Sequence, residues 1–124
     1  MKVNIFNQSD YASVDKKRIN SLIRKVVKGE GFQLANLNIV ITDNNYLKKL
    51  NKMFFKKNRP TNVISFNMDE VCEIYVSRDK VKDTKDLYYY IIHGLLHIIG
   101  YDHRNKEEVK IMENKCLKYL EYIK

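Results

Sequence analysis

The stretch "HGLLHIIGYDH", from His93 to His103, holds all three histidines of the chain. If the apolar run "LYYYIIHGLLHII" is helical, His93 and His97 stand at i and i+4, so both rings leave one face about a turn apart. Two imidazoles at that spacing can close on a single ion through metal–nitrogen bonds of about 2.0–2.1 Å. Gly100 comes three residues after His97, and glycine takes the left-handed conformation that ends a helix and reverses the chain. That reversal can return His103 to the same ion as a third ligand. Three ligands with a fourth position open is the arrangement of catalytic rather than structural zinc. Packing alone accounts for one histidine in an apolar helix. It does not account for three at ligand spacing, each costly to bury without a partner. The expected cofactor is zinc, one ion per chain, on His93, His97 and His103.

The same spacing matches the extended zinc motif H-E-x-x-H-x-x-G-x-x-H of metzincin proteases at all three histidines and the glycine. Gly94 stands where that motif carries its general-base glutamate, so the ligand geometry is kept and peptidase chemistry is not supported.

A helix must present the first two ligands, and the flanking elements must hold it. "KVNIF" alternates and reads as a first strand. From Ser13, a candidate N-cap, to Gly29, a candidate stop, Val14, Ile19, Leu22, Ile23, Val26 and Val27 follow helical spacing. "LNIVIT" is a second strand. "DNNYLKKLNKMFF" opens on a capping Asp43 and aligns Tyr46, Leu47, Leu50 and Phe54 on one face. "TNVISF", after Pro60, and "EIYVS" are third and fourth strands. The histidine helix runs from about Asp83 to Ile99. A last helix, roughly Lys106 to Ile123, is expected to bury Val109, Met112, Cys116, Leu117 and Leu120. The order predicts an α+β or α/β layered domain with a sheet of about four strands. Residues 1–124 read as a single domain. Tyr88-Tyr89-Tyr90 point in three directions on a helix and read as packing rather than as a stacking platform.

Composition is globular: 124 residues, 44% hydrophobic, one proline and no low-complexity tract. No apolar run approaches the ~20 residues of a membrane span, and "MKVNIFNQSD" lacks the apolar core of a secretory signal. A cytoplasmic protein without membrane contact is expected. Cys72 and Cys116 show no metal-binding spacing and read as buried, reduced thiols. The net charge of +8 favours an anionic partner such as nucleic acid, although lysine encouraged by AT-rich codon usage also contributes to it.

"HGLLHIIGYDH" resembles the H-G-x-L-H-L-x-G-Y-D-H signature of the YbeY family of bacterial metal-dependent endoribonucleases. The likeness continues in "LNKMFFKKNRPTNVISF", similar to the family's segment ending P-T-D/N-V-L-S-F, in "CEIYVS", and in "EEVKIMENK" of the last helix. By position it implies His93, His97 and His103 as zinc ligands and an α+β fold with a mixed four-stranded sheet. It implies a single-strand-specific endoribonuclease acting on ribosomal RNA, in 16S 3′-end maturation and ribosome quality control, with ribosomal proteins as further partners. The family's substrate-side arginine, six residues before the Thr of P-T-D/N-V, falls on Phe55 here. Lys56, Lys57 and Arg59 lie beside it and are the candidates for phosphate contact, Arg59 also for a catalytic role. Lysine does not reproduce arginine's two-pronged fork.

A zinc ion so held either acidifies a bound water towards ~7 or polarises a phosphodiester, and the RNA 2′-OH offers an internal nucleophile. Asp102 adjoins a ligand and is the candidate to orient a histidine or move a proton; the alternative is that it caps the last helix. Competing readings are an RNA-binding ribosome-assembly factor with a structural metal, and a metallohydrolase of another substrate.

Overall fold

The alternating and helical stretches resolve into four strands and four helices in the computed structural model, which describes residues 1–8, 14–55 and 62–123. In chain order these are β1 (Lys2–Asn7), α1 (Lys16–Gly29), β2 (Asn36–Thr42), α2 (Asn44–Phe55), β3 (Val63–Met68), β4 (Val71–Ser77), α3 (Thr84–Ile99) and α4 (Lys106–Leu120). The sheet order is β1-β2-β4-β3. β1, β2 and β4 run parallel, while β3 returns antiparallel beside β4. The expected α+β architecture with a mixed four-stranded sheet is observed.

Register decides what each face buries. Leu37, Ile39 and Ile41 of β2 pair with Cys72, Ile74 and Val76 of β4, and all six turn to the same side. There they meet Ile19, Ile23 and Val26 of α1, Ile91 and Leu95 of α3, and Met112 and Cys116 of α4 in one core. α2 lies on the other face, where Leu47 and Leu50 close over Ile64 with Phe66 and Tyr75.

Several local expectations need correction. Ser13 lies outside the described residues, and Asp15 caps α1 by accepting from the Arg18 N–H at 3.1 Å. α1 does end at Gly29, but the reversal belongs to Gly31 at φ 64°. Its N–H reaches the Lys28 carbonyl, and that of Phe32 reaches Val27. Gly29 is small for a different reason: a Cβ there would lie 2.7 Å from the Tyr119 hydroxyl. Asp43 caps α2 as expected, accepting from the Tyr46 N–H at 2.8 Å. Tyr46 and Phe54 are nevertheless exposed, because the face turned to the sheet is Leu47, Leu50 and Asn51. Their rings pack at its margins, on Tyr75 and Phe66.

In α4, Met112, Cys116 and Leu120 are buried as expected, but Val109 and Leu117 are exposed and Tyr119 is in the core. The buried stripe of i, i+4, i+7 and i+8 leaves Leu117 about 100° off it, and Val109 lies in the first turn. The last three expected helical residues form a separate 3-10 turn, Glu121–Ile123. Both cysteines are free and buried. Burial, with Glu113 nearby, pushes the Cys116 thiol up to about 12. Among the described residues no helix is long and apolar enough to cross a membrane.

Candidate metal centre

α3 starts where Asp83 accepts from the Asp86 N–H at 2.9 Å. Its inner face, with Leu87, Ile91, Gly94, Leu95 and Ile98, is buried. Gly94 allows a close approach to the sheet: a Cβ there would lie 2.9 Å from Ile74 Cγ2 and 3.1 Å from Val63 Cγ2. The direction from position 94 therefore leads into β3 and β4. The histidines one residue earlier and three later emerge on another face, half-buried.

The helix ends at Gly100, whose φ of 129° is open to glycine and strained for other residues. The Gly100 N–H reaches the Leu96 and His97 carbonyls at 3.1 and 3.2 Å, and the Tyr101 N–H reaches Leu96 at 3.0 Å. These paired bonds close the helix and turn the chain back. The reversal brings His103 to the other two rings. Ring centroids of His97 and His103 are 4.8 Å apart, those of His93 and His97 4.8 Å, and those of His93 and His103 5.7 Å.

The three sets of ligand atoms all lie within 4.8 Å of one another, so the cluster could hold a metal ion. His93 Nε2 and His97 Nε2 are 3.2 Å apart. Two nitrogens on one tetrahedral ion, each at about 2.0–2.1 Å, would be separated by about 3.3 Å. The residues fit the group. Burial, then the neighbouring His97 and His103, pull the His93 imidazole down to about 4. His97 is lowered by burial and by His103, against the opposing pull of Asp102 and a hydrogen bond to the Tyr101 backbone. Both rings are thus held neutral, as a ligand must be. His103 is exposed, so the cluster is open on one side.

Asp102 acts on the turn itself. Its Oδ1 accepts from the His103 backbone N–H at 2.8 Å, and its Oδ2 pairs with Arg104 Nε at 3.1 Å. The amide hydrogen bond, with help from Arg104, holds its carboxyl below the usual aspartate range. It does not cap α4; Asn105 does, accepting from the Glu108 N–H at 2.9 Å. That alternative is excluded.

Two supports of the site are built from residues distant in the sequence. The Tyr101 hydroxyl, between Gly100 and Asp102, donates to Glu30 Oε1 at 2.5 Å. Glu30 Oε2 accepts from the Tyr119 hydroxyl and from Lys115 Nζ, the latter at 3.1 Å. Burial alone would raise the Glu30 pKa, but these donors together bring it below its ordinary value. One carboxylate thus ties the histidine turn to α1 and α4. The second support is the wall of a cleft of about 430 Å³ in which Asn51, Phe55, Ser65 and Asn67 face His97 and His103. Asn51 did carry a signal, a polar residue four after Leu47 on the buried face of α2.

Lys56, Lys57 and Arg59 lie outside the described residues; Phe55, the last residue of α2, lines the cleft. The three tyrosines diverge as expected: Tyr88 is buried, Tyr89 stacks near His93, and the Tyr90 hydroxyl accepts from Asn62.

An α+β domain with three converging histidines on a helix and its closing turn defines a candidate metalloprotein. The sequence model of the family described as Endoribonuclease YbeY matches residues 4–124, and the chain belongs to that family. A relative named Endoribonuclease YbeY from Petrotoga mobilis is 36% identical over 122 residues, covering 87% of this chain and 85% of its own. One of the same name from Buchnera aphidicola is 34% identical, covering 95% and 87%. The solution structure of a Thermotoga maritima protein, 28% identical, superposes with a TM-score of 0.60 over 98% of this chain and 88% of that one.

Proposed function

We propose that this chain is a metal-dependent endoribonuclease of single-stranded RNA. It holds one zinc ion on His93, His97 and His103 and acts on ribosomal RNA in 16S 3′-end maturation and ribosome quality control. The observation that carries this reading is the convergence of three imidazoles at ligand distance in a chain of this family. Zinc bound there would supply positive charge to the phosphoryl oxygens as negative charge develops on them.

The protein's own part is to keep His93 and His97 neutral by burial and to fix the turn through Asp102 and Tyr101. Asp102 works as a positioning residue on the His103 amide; a carboxyl held below its ordinary range is ionised at neutral pH and carries no proton to donate. Lys56, Lys57 and Arg59 contact phosphates and bring the substrate backbone to the cleft, with Arg59 the candidate for charge stabilisation. Residues 1–124 form one domain that works in the cytoplasm, with ribosomal proteins as partners.

The exposed His103 supports catalysis over a structural metal, because a structural site is closed by four protein ligands. The test is metal analysis paired with RNA cleavage. About one zinc per chain and chelator-sensitive cleavage of single-stranded RNA are expected in the wild type, both lost in His97→Ala. Bound zinc without cleavage by extensively purified protein would leave an RNA-binding assembly factor instead.

A further inference from the structure

The cleft beside the histidines is not uniformly polar. Asn67 is engaged: its Nδ2 donates to the Ile98 carbonyl, and its Oδ1 accepts from the Asp69 N–H and the Cys72 thiol. Asn51 is 5% exposed and has a partner of its own. Phe55, by contrast, is 47% exposed at the end of α2 while lining the same cleft as His97 and His103. Its ring lies nearly parallel to that of Phe66, 19° between planes and 6.1 Å between centroids. Phe66 is braced in turn by the edges of Phe54 and Tyr75. Phe55 is therefore a half-exposed ring stacked on Phe66 in the wall of the histidine cleft.

We infer that Phe55, backed by Phe66, is a stacking subsite for one nucleobase of the RNA next to the phosphate presented to the histidines. The inference rests on the endoribonuclease reading and adds the ligand class of this wall. Three observations choose a base over another apolar occupant. The ring is continuous with the cleft that holds the histidines. It is flat and braced, which suits a planar partner. The chain's net charge of +8 attracts the phosphate backbone without sequence preference, so an uncharged planar group beside it meets the base that the backbone carries. Tyr46 and Phe54 differ, because they line a separate cleft with Lys49 and Met68 away from the histidines.

The experiment compares binding of a 2′-O-methyl RNA, which offers no 2′-OH nucleophile, with an abasic oligomer of the same length and charge. Zinc-loaded wild type, Phe55→Leu and Phe55→Tyr are measured. Stacking of one base is worth about 5- to 150-fold in affinity. Wild type and Phe55→Tyr should prefer the base-bearing oligomer by that factor, and Phe55→Leu should lose it. Zinc content and the salt dependence of binding should stay as in the wild type, because no charge has changed. RNA binding whose base preference survives Phe55→Leu overturns the subsite while leaving the endoribonuclease reading intact. Failure of the wild type to bind either oligomer overturns both.

Discussion

Replacing Gly94 by alanine is expected to destabilise the protein even though alanine is the better helix former. The new methyl would meet Ile74 Cγ2 at 2.9 Å and Val63 Cγ2 at 3.1 Å, where carbon atoms pack at about 3.5–4.0 Å. Both neighbours are methyls on Cβ, so they move only with a change of χ1 or of backbone. Ile74 is fully buried and has nowhere to swing. Overpacking of this kind costs about 1–3 kcal/mol, against a helix-propensity gain of about 1 kcal/mol for Gly→Ala. The net loss is then up to about 2 kcal/mol, or up to roughly 10 °C in Tm for a chain of this size.

Urea denaturation of metal-free protein in a double-mutant cycle with Ile74→Ala isolates the contact. Ile74→Ala is costly by itself, about 2–5 kcal/mol, but it removes the nearest methyl. Gly94→Ala should therefore cost clearly less in that background than in the wild type. Equal effects in the two backgrounds, or a higher midpoint for Gly94→Ala alone, would refute the close-approach argument. The same geometry bears on Gly94→Glu. Its side chain would start into the sheet, so chelator-sensitive proteolysis should be absent from the variant as from the wild type.

Glu30→Ala should cost about 2–4 kcal/mol in urea denaturation, because it strands Lys115 and two tyrosine hydroxyls. It should also weaken zinc binding, since Tyr101 loses its anchor; unaltered stability would remove Glu30 from the site's support. Metal-free protein should lose stability as pH falls from about 6.5 towards 4. In that window the unfolded chain protonates a histidine that the fold keeps neutral at His93. Glu30 is lowered, so its contribution is present above the ordinary glutamate value and is lost only below it. A Tm flat between pH 6.5 and 5 would contradict the His93 assignment. Neutralising Lys56, Lys57 and Arg59 together should flatten log affinity against log salt by roughly 0.7 for each lost phosphate contact with single-stranded RNA. An unaltered slope would leave these three side chains without a phosphate contact.

The histidine cluster was legible because its geometry is local: a helical repeat of four and one glycine turn fix it within eleven residues. Strand existence was legible for the same reason: "EIYVS" alternates, and "LNIVIT" is a short apolar run whose Val40 is buried on the face opposite Ile39 and Ile41. What escaped depended on distance. Glu30 and Tyr101 are 71 positions apart, and neither residue type hints at the other. Gly29 looked like a helix stop, yet its size is set by Tyr119 packing from α4. Val109 and Leu117 fit a helical repeat, but which stripe of α4 turns inward is decided by α3 and α1. Asp102 was ambiguous from its neighbours alone; the placement of Asn105 at the helix start resolves it.

All three histidines fall within one helix and its closing turn, whereas the sheet beneath them pairs Asn36 with Val71. Ligand proximity is thus a short-range property and the scaffold a long-range one. A denatured chain keeps two imidazoles four residues apart, able to grip a metal whenever a single helical turn flickers into being. Bound metal therefore rewards the native state only by the difference between its two affinities. In refolding, the ion can arrive before the strands have found their register.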